Sequence, residues 1–205
     1  MNKDRKCSSR WIRPHLDTPA TVLLLSSLNE LTNNKYEELA TATAVTPNQE
    51  MSLILTYSPS TWKSMDRINH LTNIDIIDIS SVRTATAHNT PEQSSTSAQI
   101  NSNSRQDATE SSLLIGSIKK FIDDYNDVPT TILLDSLTTL LSYTTLSDAY
   151  DLITSLSELI DDSEVVIYFC MDPSDHDIET IYELKPLFDA TAKLVDDDTW
   201  SIKPQ

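Results

Sequence analysis

A carboxylate and a hydroxyl at the end of an aliphatic run are the residues of this chain best placed to do chemistry. Thr131, Ile132, Leu133 and Leu134 lead into Asp135-Ser136, and a second apolar stretch, Leu137 to Leu141, follows at once. Such a run suits a strand buried on both faces of a parallel sheet. It delivers Asp135 and Ser136 to the strand's C-terminal end, the edge at which open α/β sheets bind ligands. A second group, Asp172, Asp175, His176 and Asp177, follows the strand-length run Glu164 to Met171 and would reach the same edge. Oxygen and imidazole ligands of this kind could hold a divalent cation. The simpler expectation is that Asp172-Pro173-Ser174 makes a turn and that Asp175 or His176 caps the next helix. No G-x-S-x-G elbow is present, so a serine hydrolase is excluded.

These residues need a scaffold, and the hydropathy pattern supplies one. Strand-length apolar runs recur at 21–27, 51–58, 74–80, 130–135, 164–171 and 192–196, the last expected at an edge. Helical spacing is read between them, at 28–41, after Ser60-Thr61, at 111–125, after Ser147-Asp148 and at 177–188, where Pro186 should shorten the helix. Strands alternating with helices imply crossover connections and parallel pairing, hence a three-layer α/β fold with a mainly parallel sheet and helices on both faces.

Domain organisation follows from length and local composition. At 205 residues the chain fits one domain, expected at 20–202 after a basic flexible tail at 1–19. From 83 to 109 large apolar residues almost vanish, and the segment is expected to be a disordered insertion, because burial cannot offset its ordering entropy.

Charge is unevenly divided. Residues 1–120 hold 12 Lys+Arg against 12 Asp+Glu, whereas residues 121–205 hold 3 against 19, so the C-terminal part carries the whole net charge of -16. A surface of that sign disfavours nucleic acid, apart from the arm around Trp11 with Lys3, Arg5, Lys6, Arg10 and Arg13. The acidic composition, rich in Asp, Thr and Ser, matches a protein of a salty cytoplasm, where molar salt screens self-repulsion. Two cysteines are too few and too far apart for a disulfide scaffold, and no apolar segment is long enough for a membrane span. The expectation is a cytoplasmic protein with no membrane partner.

The order of parts, with the stretches TILLDSLTTLL, FCMDPSDHD and LFDATAKLVDDDTW, resembles the RecA superfamily and its KaiC- and RadA-like branch, in particular short degenerate relatives from halophilic archaea. The resemblance runs from about Thr21 to Trp200. It implies a P-loop-type sheet in which 164–171 lies between 21–27 and 130–135, with 52–58 outside the latter. It also implies that Asp135 matches the Walker B carboxylate that helps hold the nucleotide's magnesium.

The remaining ATPase parts are missing. A phosphate loop needs glycines, a lysine and a hydroxyl, but the stretch after the first strand, Ser26 to Asn33, has no glycine and includes Glu30. Gly116 is the chain's only glycine, against about fourteen for average usage. Tyr57-Ser58-Pro59 stands where active relatives carry the catalytic glutamate. The expectation is therefore a pseudo-ATPase without cofactor, acting through an unidentified protein partner in signalling or transcriptional regulation, with homo-oligomerisation left open. The alternative is a residual Mg-ATP binder or slow ATPase using Ser26, Ser27, Lys35, Asp135 and Ser136, with Asp135 on the metal.

Overall fold

The computed structural model describes residues 5–7, 19–26, 50–63, 73–80, 102–126, 128–161, 163–196 and 199–205, side chains being excepted at 5–7 and 102–110. The strands are β1 (Arg5–Cys7), β2 (Ala20–Leu25), β3 (Met51–Thr56), β4 (Ile74–Asp78), β5 (Thr130–Asp135), β6 (Val165–Met171), β7 (Ala190–Asp196) and β8 (Thr199–Pro204). The helices are α1 (Pro59–Lys63), α2 (Ser102–Asp124), α3 (Leu137–Tyr143), α4 (Leu146–Ile160) and α5 (Ile178–Leu184), with short 3-10 turns at Pro173–Asp175 and Lys185–Leu187.

One sheet orders these strands β1-β8-β7-β2-β6-β5-β3-β4. The six strands from β7 to β4 are mutually parallel, and β8 runs antiparallel between β7 and β1. β6 lies between β2 and β5 and β3 lies outside β5, the order that the resemblance implied.

Period-two alternation on the central strands builds two cores. Val165, Ile167, Phe169 and Met171 of β6 face a layer of helices, where they meet Leu114 and Ile118 of α2, Leu140 of α3, Leu152 and Leu156 of α4, and Ile181 and Leu184 of α5. Val166, Tyr168 and Cys170 face the opposite way, toward Trp62 of α1 and Trp200 and Ile202 of β8. Helices thus contribute to both faces, as a mainly parallel sheet requires.

Several boundaries differ from expectation. The strand at 192–196 is not at the edge: it starts at Ala190 and sits between β2 and β8. The chain doubles back after it, and β8 alternates Trp200 and Ile202 inward with Ser201 and Lys203 outward, a one-sided pattern suited to an antiparallel strand. Three residues of the expected tail, Arg5–Cys7, pair with that strand. The helix expected from Ser111 begins at Ser102, inside the stretch expected to be disordered, because adding turns to an established helix costs little once nucleation is met. Residues 83–101 of that insertion, and the helix expected at 28–41, lie outside the described residues. α1 starts at Pro59, a favoured first helical residue, rather than after a Ser60-Thr61 cap. Thr145, not Ser147, caps α4 in a reciprocal box with Asp148. Pro186 does end α5, which passes into the 3-10 turn.

Two contacts at the N-terminal ends of β2 and β7 fix these strands against each other. Asp189 accepts hydrogen bonds from the Thr21 backbone N–H (2.7 Å) and hydroxyl (2.9 Å). Next to it, Phe188 meets Phe169 edge-on at 5.2 Å.

Candidate functional site

Asp135 is the last residue of β5 and pairs in register with Thr56, the last of β3. Leu133, two residues earlier, belongs to the core cluster that holds Trp62, so alternation turns Asp135 toward the same face. There the Trp62 indole N–H donates to Asp135 Oδ2 at 2.8 Å, and the Thr56 hydroxyl donates to the same oxygen at 3.4 Å.

The local sequence explains how Trp62 gets there. The Ser58 N–H donates to Thr56 Oγ1 (3.0 Å), bending the chain as β3 ends, and Pro59 starts α1 with its φ already helical. Trp62 arrives one turn later at 1% exposure. A buried indole N–H needs an acceptor, and Asp135 supplies it.

Ser136 is equally committed. It is the N-cap of α3, its hydroxyl accepting from the Thr139 N–H (3.1 Å) and lying 3.0 Å from the Thr139 hydroxyl, and the peptide bond before it is cis. Ser26 follows β2 with its N–H donating to the Met171 carbonyl, and its buried Oγ has no hydrogen-bond partner among the described residues. Ser27 and Lys35 lie outside the described residues. The structure therefore brings Asp135, Ser136 and Ser26 to one sheet edge, with Ser136 engaged in capping and the half-buried Asp135 bonded to the buried Trp62 indole.

The second acidic group forms turns and caps. Asp172 accepts from the Ser174 N–H (2.9 Å) and hydroxyl (2.6 Å), and its own N–H donates to Thr138 Oγ1 (2.9 Å). His176 Nε2 lies 3.1 Å from the same Thr138 oxygen, tying the β6–α5 connection to α3. Asp177, rather than Asp175 or His176, caps α5. Hydrogen bonds from Thr180 hold its carboxyl below the ordinary aspartate value, with a smaller contribution from His176. Among the described residues no three His, Cys, Asp or Glu side chains are placed to hold a metal ion.

Cys170, fully buried on β6, faces this same layer. Burial pushes its thiol well above the ordinary value, and the charge of Asp135 adds to the shift. The thiol therefore stays protonated in the folded chain, whereas in the unfolded chain it ionises near pH ~8.5. Its contribution to stability is full below that pH and is lost as pH rises above it. In a Cys7→Ser variant, Cys170 is expected to react with a chromogenic disulfide reagent only on unfolding in urea. Rapid stoichiometric labelling of the folded protein would contradict that burial.

The Trp62–Asp135 pair is the feature that sequence reasoning missed. Trp62 reads as an apolar helix residue, and only the rule that a buried indole seeks an acceptor points from it to a carboxylate.

A mainly parallel sheet in which β6 separates β2 from β5 and β3 lies beyond is a RecA/KaiC-like α/β fold. Residues 19–194 match the model of a family of unknown function, DUF7504, and the chain belongs to that family. Among solved structures, it is similar to the KaiC-like protein PH0186 from Pyrococcus horikoshii, with TM-score 0.54 and 13% identity over 85% of this chain and 72% of that one. An uncharacterized protein from the same organism, PH0321, solved in complex with an unknown peptide, gives TM-score 0.57 and 8% identity over 91% of this chain and 84% of that one. PH0250, also from P. horikoshii, gives 0.56 and 8% over 94% and 90%. At these identities the likeness is one of fold. No curated protein matches the chain. Among the described residues no helix is long and apolar enough to cross a membrane.

Proposed function

We propose that this chain is a RecA/KaiC-like module that has lost ATPase chemistry and acts through contacts with another protein, in a regulatory or signalling role. The observation that carries this reading is the use of the Walker B-position carboxylate as the acceptor for a buried indole. Magnesium held at that position needs carboxylate oxygen turned toward phosphate and water. Here Oδ2 is turned toward the ring of Trp62 and the hydroxyl of Thr56. The position of the catalytic base is likewise given to packing, since the Tyr57 ring lies 5.7 Å from that of Tyr143.

Phosphoryl transfer is almost entirely positioning and charge stabilisation, so a sequence without the glycines, the base or an available carboxylate has nothing left with which to accelerate it. The donor set does not fit a magnesium nucleotide, and no step through one is derived. On this reading the fold serves as a scaffold for a contact surface. The unknown peptide on PH0321 supports a protein partner for this architecture. The acidic composition supports a cytoplasm rich in salt.

Calorimetric titration with Mg-ATP in 1 M KCl tests the reading. No heat is expected at millimolar nucleotide, for the wild type or for Asp135→Ala. Saturable binding that Asp135→Ala abolishes would restore a nucleotide site and sink the proposal.

A further inference from the structure

α5 is apolar on two sides. Its sequence IETIYEL turns Ile181 and Leu184 into the core beneath the helices, while Ile178 and Tyr182 point outward at 60% and 63% exposure. These two are four residues apart and so form one ridge. Glu179 and Glu183 flank the ridge, and Asp175 precedes it, all three exposed.

One contact on this face already shows the chemistry it accepts. The ammonium of Lys185 sits 5.2 Å from the centre of the Tyr182 ring, the geometry in which an aromatic face attracts a cation. Lys185 is one of only three basic residues in 121–205. The C-terminal half thus has few other cations to offer the ring and its neighbouring carboxylates.

We infer that the outer face of α5 docks a basic segment of a partner protein whose apolar side chains cover Ile178 and Tyr182 while its arginines meet Glu179, Glu183 and the tyrosine ring. Tyrosine at the centre with opposite charges at the rim is the arrangement in which a small apolar contact gains specificity. A second copy meeting this face with its own α5 would present the same acidic rim. The inference rests on the protein-contact reading above and names the surface that reading needs.

The test uses the full chain without nucleotide, so its failure leaves the Mg-ATP result standing. The probe is a fluorescent twelve-residue peptide of leucine and arginine, followed by anisotropy in 0.3 M KCl. Two control peptides replace arginine by citrulline or leucine by serine. Saturable one-to-one binding is expected, with a Kd on the order of 100 μM. It should weaken at least about tenfold for the Ile178→Ser/Tyr182→Ser variant and for either control peptide, and stay unchanged for Leu113→Ser, an exposed apolar residue of α2. The substituted side chains are exposed, so the variants should fold, and circular dichroism verifies this. Equal weakening by Leu113→Ser, indifference to the α5 double variant, or no saturation would each overturn the assignment, the first by showing only diffuse attraction to an acidic surface.

Discussion

Replacing Trp62 by phenylalanine is expected to destabilise the protein by about 2 kcal/mol, and Asp135→Ala by a similar amount, because each leaves its partner buried or half-buried without its hydrogen bond. Trp62→Ala should cost more, about 3–5 kcal/mol, since it also empties the space of one of the largest fully buried side chains. The informative variant is the double one. If the indole and carboxylate serve chiefly each other, Trp62→Phe/Asp135→Ala should cost less than the sum of its parts by roughly 1 kcal/mol or more. Urea unfolding at fixed KCl measures all four corners of this cycle. A carboxylate kept for ligand binding predicts the opposite for Asp135→Ala: removing an unneeded charge from a binding edge usually stabilises the free protein. A neutral or stabilising Asp135→Ala, additive with Trp62→Phe, would return Asp135 to the nucleotide hypothesis.

The fold was legible because its central strands are buried on both faces, and continuous runs such as VVIYFCM survive any register and admit few alternatives. Their order became readable through the resemblance, which placed β6 between β2 and β5. What escaped was one-sided or short. Thr199–Pro204 hides its strand character behind Lys203 and Pro204, and Arg5–Cys7 has too few residues to show any period. The caps were misplaced by a residue or two because Thr145, Ser147 and Asp148 are all plausible first residues of α4, and only the three-residue spacing of a capping box separates them. For the site, sequence alone located Asp135 and the missing glycines. It could not find the occupant of the carboxylate, because Trp62 and Asp135 are far apart in sequence and meet only once β3 is paired to β5.

Stability should rise strongly with salt. The chain carries a net charge of -16, all of it in residues 121–205, whose carboxylates cannot move apart in the folded state. Treating the folded chain as a sphere of radius ~20 Å and the unfolded chain as one of ~50 Å, screened self-repulsion falls by about 4 kcal/mol more in the folded state between 0.1 and 1 M salt, as the Debye length drops from about 10 to 3 Å. The estimate is an upper one, since the unfolded chain is more compact than that radius implies. For a chain of this size it corresponds to a rise in Tm on the order of 10 °C. Potassium chloride is the salt to use, because its ions are weakly excluded from protein surfaces and act mainly by screening, whereas sulfate would also strengthen apolar burial. The sign separates this term from paired charges. With 31 Asp+Glu against 15 Lys+Arg, repulsion outweighs attraction, and exposed pairs such as Lys119–Asp123 contribute little, so screening should stabilise. Thermal melts from 0.1 to 2 M KCl measure it. A flat or falling Tm would mean that the acidic face is neutralised by something other than salt, and a basic partner on α5 would be the first candidate.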